Sequence, residues 1–559
     1  MDRPVGRDRS RLRHGAEEDT MAMKKLRSGL LPVAPAVFIA LFFAYPVGTL
    51  LARGLGQDAD RLGAVLTESR FLKIIWFTGW QAAASTLLAL VLALPLTWAI
   101  ANRRFRGRRL ARGLVTIPFV LPTVVVASAF IALMDGFGLD EGTLRLRHTV
   151  WAILLAHAFF NVAVFVRSVG GFWAQLDRRP EEAARTLGAS PWRTFIEVAF
   201  PRLRPALVAA TSVVFLFSFT SFAIILILGG PRRSSIETEI FRYAVTRTDI
   251  ATAAALSIVQ MVAVVALVAC NGWLQRRTLS GRQGLVADRG IAPKRGRQHV
   301  SLWAILLGTS VTLGLPLAVL VERSLSTGAG YSLLHYRGLG DKVRFLPVSA
   351  LEAVANSLAF AVAAAGIALI IGGLGSVAIV HGGKFASRLL DLGMLLPLGT
   401  SAVTLGFGVL ITLDRGVLDL RGSWWIVPIT QSLIAIPFVV RGVVPVLRSI
   451  DPAMRQAAAT LGASPRRIRR EIDLRIGGRA LATGVGFAFA ISLGEFGATS
   501  FVGRRPDQLT VPLAIERLLG QPGDLLRGQA MALSVILMVV TAVVVMIGDR
   551  LYPNAGGML

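Results

Sequence analysis

Stretches of apolar residues near the twenty needed to cross a bilayer recur twelve times along the chain, separated by short polar segments. They fall near 30–52, 75–101, 113–134, 150–173, 205–228 and 251–273, and again near 302–321, 353–380, 389–413, 424–447, 480–502 and 529–548. The pattern predicts an all-α integral membrane protein of about twelve transmembrane helices. A second pattern lies over the first. Ala184-Arg185-Thr186-Leu187-Gly188-Ala189-Ser190-Pro191-Trp192-Arg193 returns as Ala458-Ala459-Thr460-Leu461-Gly462-Ala463-Ser464-Pro465-Arg466-Arg467, and 458 minus 184 is an offset of 274 residues. The same offset pairs Asp177 with Asp451, Arg167 with Arg441, Phe215 with Phe489, Ser218 with Ser492, Phe222 with Phe496 and Gly229 with Gly503. Two tandem six-helix domains are expected, at 30–273 and 301–548, with a polar tail at 1–29, a linker at 274–300 and a short tail at 549–559. Six spans per copy give both copies one orientation, so the repeated loop emerges on the same side twice.

The repeated loop has its own local grammar. Pro180 suits the first turn of a helix, with Asp177 nearby to cap it, and Gly188 suits a left-handed stop. Ser190 and Pro191 then read as the N-cap and first residue of a second short helix running toward Pro201. Asp451-Pro452, Gly462 and Ser464-Pro465 repeat the scheme.

Composition agrees with the hydropathy. Of 559 residues 54% are hydrophobic and 17% charged, and the mean hydropathy is +0.62. The net charge of +27 is distributed by side of the membrane. Eight Lys or Arg lie in 1–29, six in 102–112, six in 174–204, seven in 274–300 and eight in 448–479. That bias toward one face predicts both termini in the cytoplasm of a bacterial inner membrane, and it accounts for the charge without nucleic acid. The first 29 residues are too polar for a cleavable signal, and Met21 or Met23 are alternative starts that leave Lys24-Lys25-Leu26-Arg27 before the first span. The single cysteine, Cys270, excludes a disulfide framework or a cysteine metal site.

Few polar side chains fall inside the apolar stretches. Glu495, in Ser492-Leu493-Gly494-Glu495-Phe496-Gly497, is the acid placed well inside a span, with packing or gating weighed above contact with a solute. His157 and Asn161 lie one helical turn apart on a shared face, where they line a path or bond between helices. Pro118, Pro122, Pro397 and Gly406–Gly408 are candidate sites of kinks or close packing. Arg167 and Arg441 read as snorkelling residues at helix ends.

Glu182-Ala183-Ala184, Gly188 and Val198-Ala199-Phe200-Pro201 resemble the EAA loop of permeases in ATP-binding-cassette importers. The second copy keeps Ala457-Ala458, Gly462, Ile472 and Leu474 but has Gln456 for the glutamate and Arg475 for the closing proline. The resemblance implies two tandem permease domains of the type I importer kind. It also implies that Glu182, Ala183, Gly188, Gln456, Ala457 and Gly462 couple the membrane domain to an ATPase. No Gly-x-x-x-x-Gly-Lys-Ser/Thr loop occurs in the chain, so ATP and its hydrolysis are expected on two separate ATP-binding subunits, with no cofactor in this chain and no bond chemistry. An extracytoplasmic solute-binding protein is the other implied partner. Ile153-Leu154-Leu155-Ala156-His157-Ala158-Phe159-Phe160-Asn161, Ser221-Phe222-Ala223, Leu228-Gly229-Gly230-Pro231 with Ile236-Glu237, and Ala255–Met261 resemble the fused double permeases that move thiamine. A related family moves ferric iron, which is the alternative solute. An ion-driven secondary transporter is the competing class, but such a carrier needs no twice-repeated structured loop.

Overall fold

A computed structural model describes residues 32–140, 145–278, 296–328, 330–413, 419–420, 422–503 and 505–551. The tail 1–29, most of the linker 274–300 and most of the tail 549–559 lie outside the described residues, as do the alternative starts. Among the described residues, ten helices are long and apolar enough to cross a membrane: Val33–Gly56, Ser69–Asn102, Val150–Gln175, Pro191–Phe219, Ile250–Gln275, Gln298–Leu325, Ala350–His381, Ile426–Arg448, Arg475–Gly494 and Asp524–Ile547.

The other two expected spans are not single helices. Leu110–Val120 and Thr123–Gly136 meet at 100°, and Lys384–Gly399 and Ala402–Thr412 meet at 104°. In the first, Pro122 forces the preceding Leu121 into extended backbone (φ −66°, ψ 140°). In the second, a 3₁₀ turn at Leu396–Gly399 begins with Pro397 in its first turn, and Thr400 is then extended (φ −112°, ψ 139°). Average hydropathy cannot register such corners. The expected spans 205–228 and 480–502 are also corrected. The fifth helix already begins at Pro191, passing through a π-turn at Phe195–Ala199 that admits Pro201 without its missing N–H, and it ends at Phe219 before a separate short helix, Ala223–Gly229. The eleventh ends at Gly494, and Thr499–Val502 is a separate turn.

The first helix of each half crosses to the other half. Gly408 of the second half packs so closely on Pro46 that an added Cβ would lie 3.4 Å from the Pro46 carbonyl oxygen. On the opposite side Arg323 donates to the Asp135 carbonyl at 3.0 Å, and a Cβ on Gly136 would lie 3.1 Å from Val319 Cγ1. The broken spans are thus clasped by the opposite repeat's leading helix. Two short helices, Ile236–Phe241 and Val511–Leu519, complete the seam between the halves. Their first residues are matched by hydrogen bonding: Ile236 N donates to Thr78 Oγ1 (3.0 Å) and Val511 N to Ser357 Oγ (2.7 Å).

Candidate functional site

The repeated loops form two surface knuckles of the same build. Arg179–Thr186 is a helix closed by Gly188 at φ +87°, with Gly188 N bonded to Arg185 O and Ala189 N to Ala184 O, each at 3.0 Å. Pro452–Thr460 is closed by Gly462 at φ +79°, with Gly462 N bonded to Ala459 O and Ala463 N to Ala458 O, again at 3.0 Å. This paired 5→2 and 6→1 bonding is the Schellman stop, and its left-handed residue favours glycine. Ser190 Oγ accepts from Arg193 N (3.3 Å) and Ser464 Oγ from Arg467 N (3.4 Å), so each serine caps the next helix. Asp451 Oδ1 accepts from Ala453 N, and Asp177 Oδ1 makes the equivalent bond with Arg179 N, the first residue of its helix.

Each knuckle presents exposed side chains at matching positions. Glu182, Ala183, Gln456 and Ala457 are exposed. Glu181 turns inward, where burial pushes its carboxyl up against the opposing pull of Arg178, Arg185 and Arg202. Leu187 is 88% exposed and Leu461 87% exposed, at equivalent positions of the two loops. Neither leucine was among the expected contacts. Both stand in the repeated phrase, and their apolar character beside a helix-stopping glycine was the available signal.

Deep in the molecule, the polar side chains of the first half form a connected set. Ser85 Oγ lies 3.0 Å from His157 Nδ1, and His157 Nε2 lies 2.8 Å from Ser221 Oγ. Asn161 Nδ2 donates to the His157 carbonyl (2.9 Å) and to Ser218 Oγ (3.4 Å), while Gln81 Nε2 donates to the Ser218 carbonyl (2.9 Å). His157 and Asn161 thus tie the fourth helix to the second and to the end of the fifth. Glu495 does not join them. Its Oε1 accepts from Ala498 N (2.7 Å), and its Oε2 accepts from Thr499 N (2.9 Å) and the Thr499 hydroxyl. The carboxylate closes its own chain break, as an N-cap does.

On the line between the halves stands a run of rings. Phe222 stacks on Phe496, Phe222 meets Phe241 edge-on, Phe241 meets Phe501 edge-on, and Phe501 leans on Phe407. Phe222 and Phe241 belong to the first half, the other three to the second. Glu237, fully buried one turn before Phe241, was placed by hydropathy in an outward loop, because Pro231–Asp249 is too charged to read as membrane-embedded.

Residues 85–280 and 364–555 both match the family described as binding-protein-dependent transport system inner membrane component. The chain belongs to this family. It is similar to the thiamine transport system permease protein of Salmonella typhimurium, at 26% identity over 501 residues, 86% of this chain and 90% of that one. The thiamine transport system permease protein of Brucella abortus is 27% identical over 535 residues, 93% of this chain and 95% of its own. The sulfate transport system permease protein of Escherichia coli is 29% identical over 199 residues, 35% of this chain and 72% of that protein. As a permease with the family domain twice, the chain places one repeated loop within each match. The second broken span contributes Phe407 to the ring cluster between the halves.

Proposed function

We propose that this permease carries thiamine, or a phosphorylated form of it, inward across the bacterial inner membrane, with both termini in the cytoplasm. The observation that carries the reading is that proteins named as thiamine transport permeases align with it over 86% and 93% of its length. Two separate ATP-binding subunits supply the energy, one docked on each knuckle through Leu187 or Leu461 and the exposed faces at Glu182-Ala183 and Gln456-Ala457. An external binding protein delivers the solute to the outward-open form, and closure of the ATPase pair, transmitted through the knuckles, parts and reseals the seam.

The test is uptake of labelled thiamine and labelled ferric iron in paired parent and deletion cells at nanomolar solute. Loss of thiamine uptake alone supports the reading. Loss of iron uptake alone assigns the permease to ferric iron, and loss of neither removes both solutes.

A further inference from the structure

Glu237 lies on the seam and pairs with no cationic side chain among the described residues. It stands on the first half's helix Ile236–Phe241, and its Oε2 accepts from Ser401 Oγ of the second half at 2.6 Å. Its Oε1 accepts from Gln260 Nε2 at 2.8 Å. Ser401 Oγ in turn caps the helix Ala402–Thr412, accepting from Val403 N (3.1 Å) and Thr404 N (3.3 Å). Both donors to the carboxylate are neutral. Burying an ionised carboxylate with neutral donors alone costs several kcal/mol, and a glutamine would serve for the two hydrogen bonds at less expense. A group of that cost needs a role that uses the charge.

Two further acceptors beside it are unspent. Gln260 Oε1 and Thr404 Oγ1 are buried without a hydrogen-bond partner. Gln260 Oε1 belongs to the same amide that holds the carboxylate, and Thr404 is the residue whose N–H Ser401 caps. One turn along its helix from Glu237, Phe241 has its ring 5.4 Å from Phe222 and 5.7 Å from Phe501. A carboxyl group, unfilled neutral acceptors and a bank of rings therefore meet in one place. The equivalent position of the second half differs. Matched by the hydrogen bonds that open their helices, Ile236 pairs with Val511, so Glu237 corresponds to Pro512, which has no polar side chain.

We infer that Glu237, with Gln260 and the phenylalanines at the seam, forms a transit site for a singly charged aromatic cation. The inference rests on the thiamine reading for the identity of that cation. While the seam is closed, Ser401 and Gln260 occupy the carboxylate. When the halves part, Ser401 leaves with the second half, and Oε2 is released to face the positive ring of the solute. The phenylalanine faces add cation–π attraction, strongest where water is excluded. One carboxylate among neutral oxygens matches a diffuse monocation, whereas a hard multivalent ion gathers several anionic oxygens.

The experiment reconstitutes the permease in liposomes with its ATPase subunits and binding protein. It compares uptake of thiamine with uptake of the neutral analogue in which thiophene replaces the thiazolium ring, both at concentrations saturating the binding protein. Glu237→Gln is expected to cut thiamine uptake about tenfold while slowing the neutral analogue much less, and Glu237→Asp to restore part of the preference. Equal slowing of both solutes would show a packing role and overturn the inference, as would thiamine uptake at the parent rate. A parent permease that carries no thiamine at all removes the solute reading and this inference together, a result distinct from an active parent with an indifferent Glu237→Gln.

Discussion

Phe222 and Phe496 stack face to face, with ring centroids 5.2 Å apart and planes 21° from parallel. They are the same position in the two repeats, since 496 minus 222 is the 274-residue offset. Two copies of one residue touch each other when they lie on the axis that relates the copies, as in any isologous contact. Each also sits at a break in its helix, Phe222 just before Ala223–Gly229 and Phe496 just after Gly494. A ring pair on the axis, at the breaks of both fifth-position spans, is the arrangement of a plug. Replacing both with alanine removes the stack and the burial around it, worth about 0.5–1.5 kcal/mol beyond area alone. The double variant Phe222→Ala, Phe496→Ala is expected to let thiamine leak through liposomes without ATP, where the parent holds a gradient. A double variant as tight as the parent would place the barrier elsewhere.

The knuckles make a paired prediction. Leu187 and Leu461 are apolar, almost wholly exposed and equivalent, so Leu187→Asp and Leu461→Asp are each expected to weaken capture of the ATP-binding subunit without disturbing the fold. Glu182→Arg is expected to weaken it too, whereas Gln456→Arg removes no charge interaction and has the smaller effect. Co-purification of the ATPase with tagged permease reads all four. Gly188→Ala and Gly462→Ala place a side chain at φ +87° and +79°, at a cost of about 1 kcal/mol, and are expected to loosen the knuckles equally.

Glu495 is expected to behave unlike Glu237. Its oxygens satisfy the N–H groups of Ala498 and Thr499, and Gly406 of the broken ninth span presses so close that an added Cβ would lie 2.6 Å from Ala498 Cα. Removing the side chain orphans two buried amides at about 1–3 kcal/mol each. Glu495→Ala is expected to lower the thermal unfolding temperature in detergent by several degrees, and Glu495→Gln by less, with uptake following the amount of folded protein. A Glu495→Gln permease that is stable but no longer carries solute would contradict the capping role.

These contrasts mark how far the sequence was readable. The spans and knuckles were legible because they depend on local chemistry: apolar run length, proline at a first turn, glycine at a left-handed stop. The corners at Leu121–Pro122 and Thr400–Ser401 were marked by Pro122 and Pro397, read as kink candidates, but their size was not legible, because run-averaged hydropathy is unchanged by a bend near 100°. Glu237 was hidden for another reason. Its burial is created by Ser401, 164 positions away in the other repeat, and no local pattern records that contact. The crossing of each leading helix to the opposite half is hidden in the same way.

His157 offers the remaining prediction. The ring bridges two serines, Ser85 at Nδ1 and Ser221 at Nε2, and a neutral imidazole serves both because one nitrogen donates and the other accepts. The equivalent position in the second half is Gln431, since 431 minus 157 is again 274, and glutamine likewise offers one donor group and one acceptor. His157→Gln is therefore expected to keep part of the bridge, while His157→Ala leaves two buried hydroxyls to find other partners at about 1–3 kcal/mol each. Thermal unfolding in detergent should rank the parent above His157→Gln and His157→Ala lowest. If instead His157→Ala unfolds at the parent temperature yet fails in uptake, the ring serves the solute rather than the packing of the second, fourth and fifth helices.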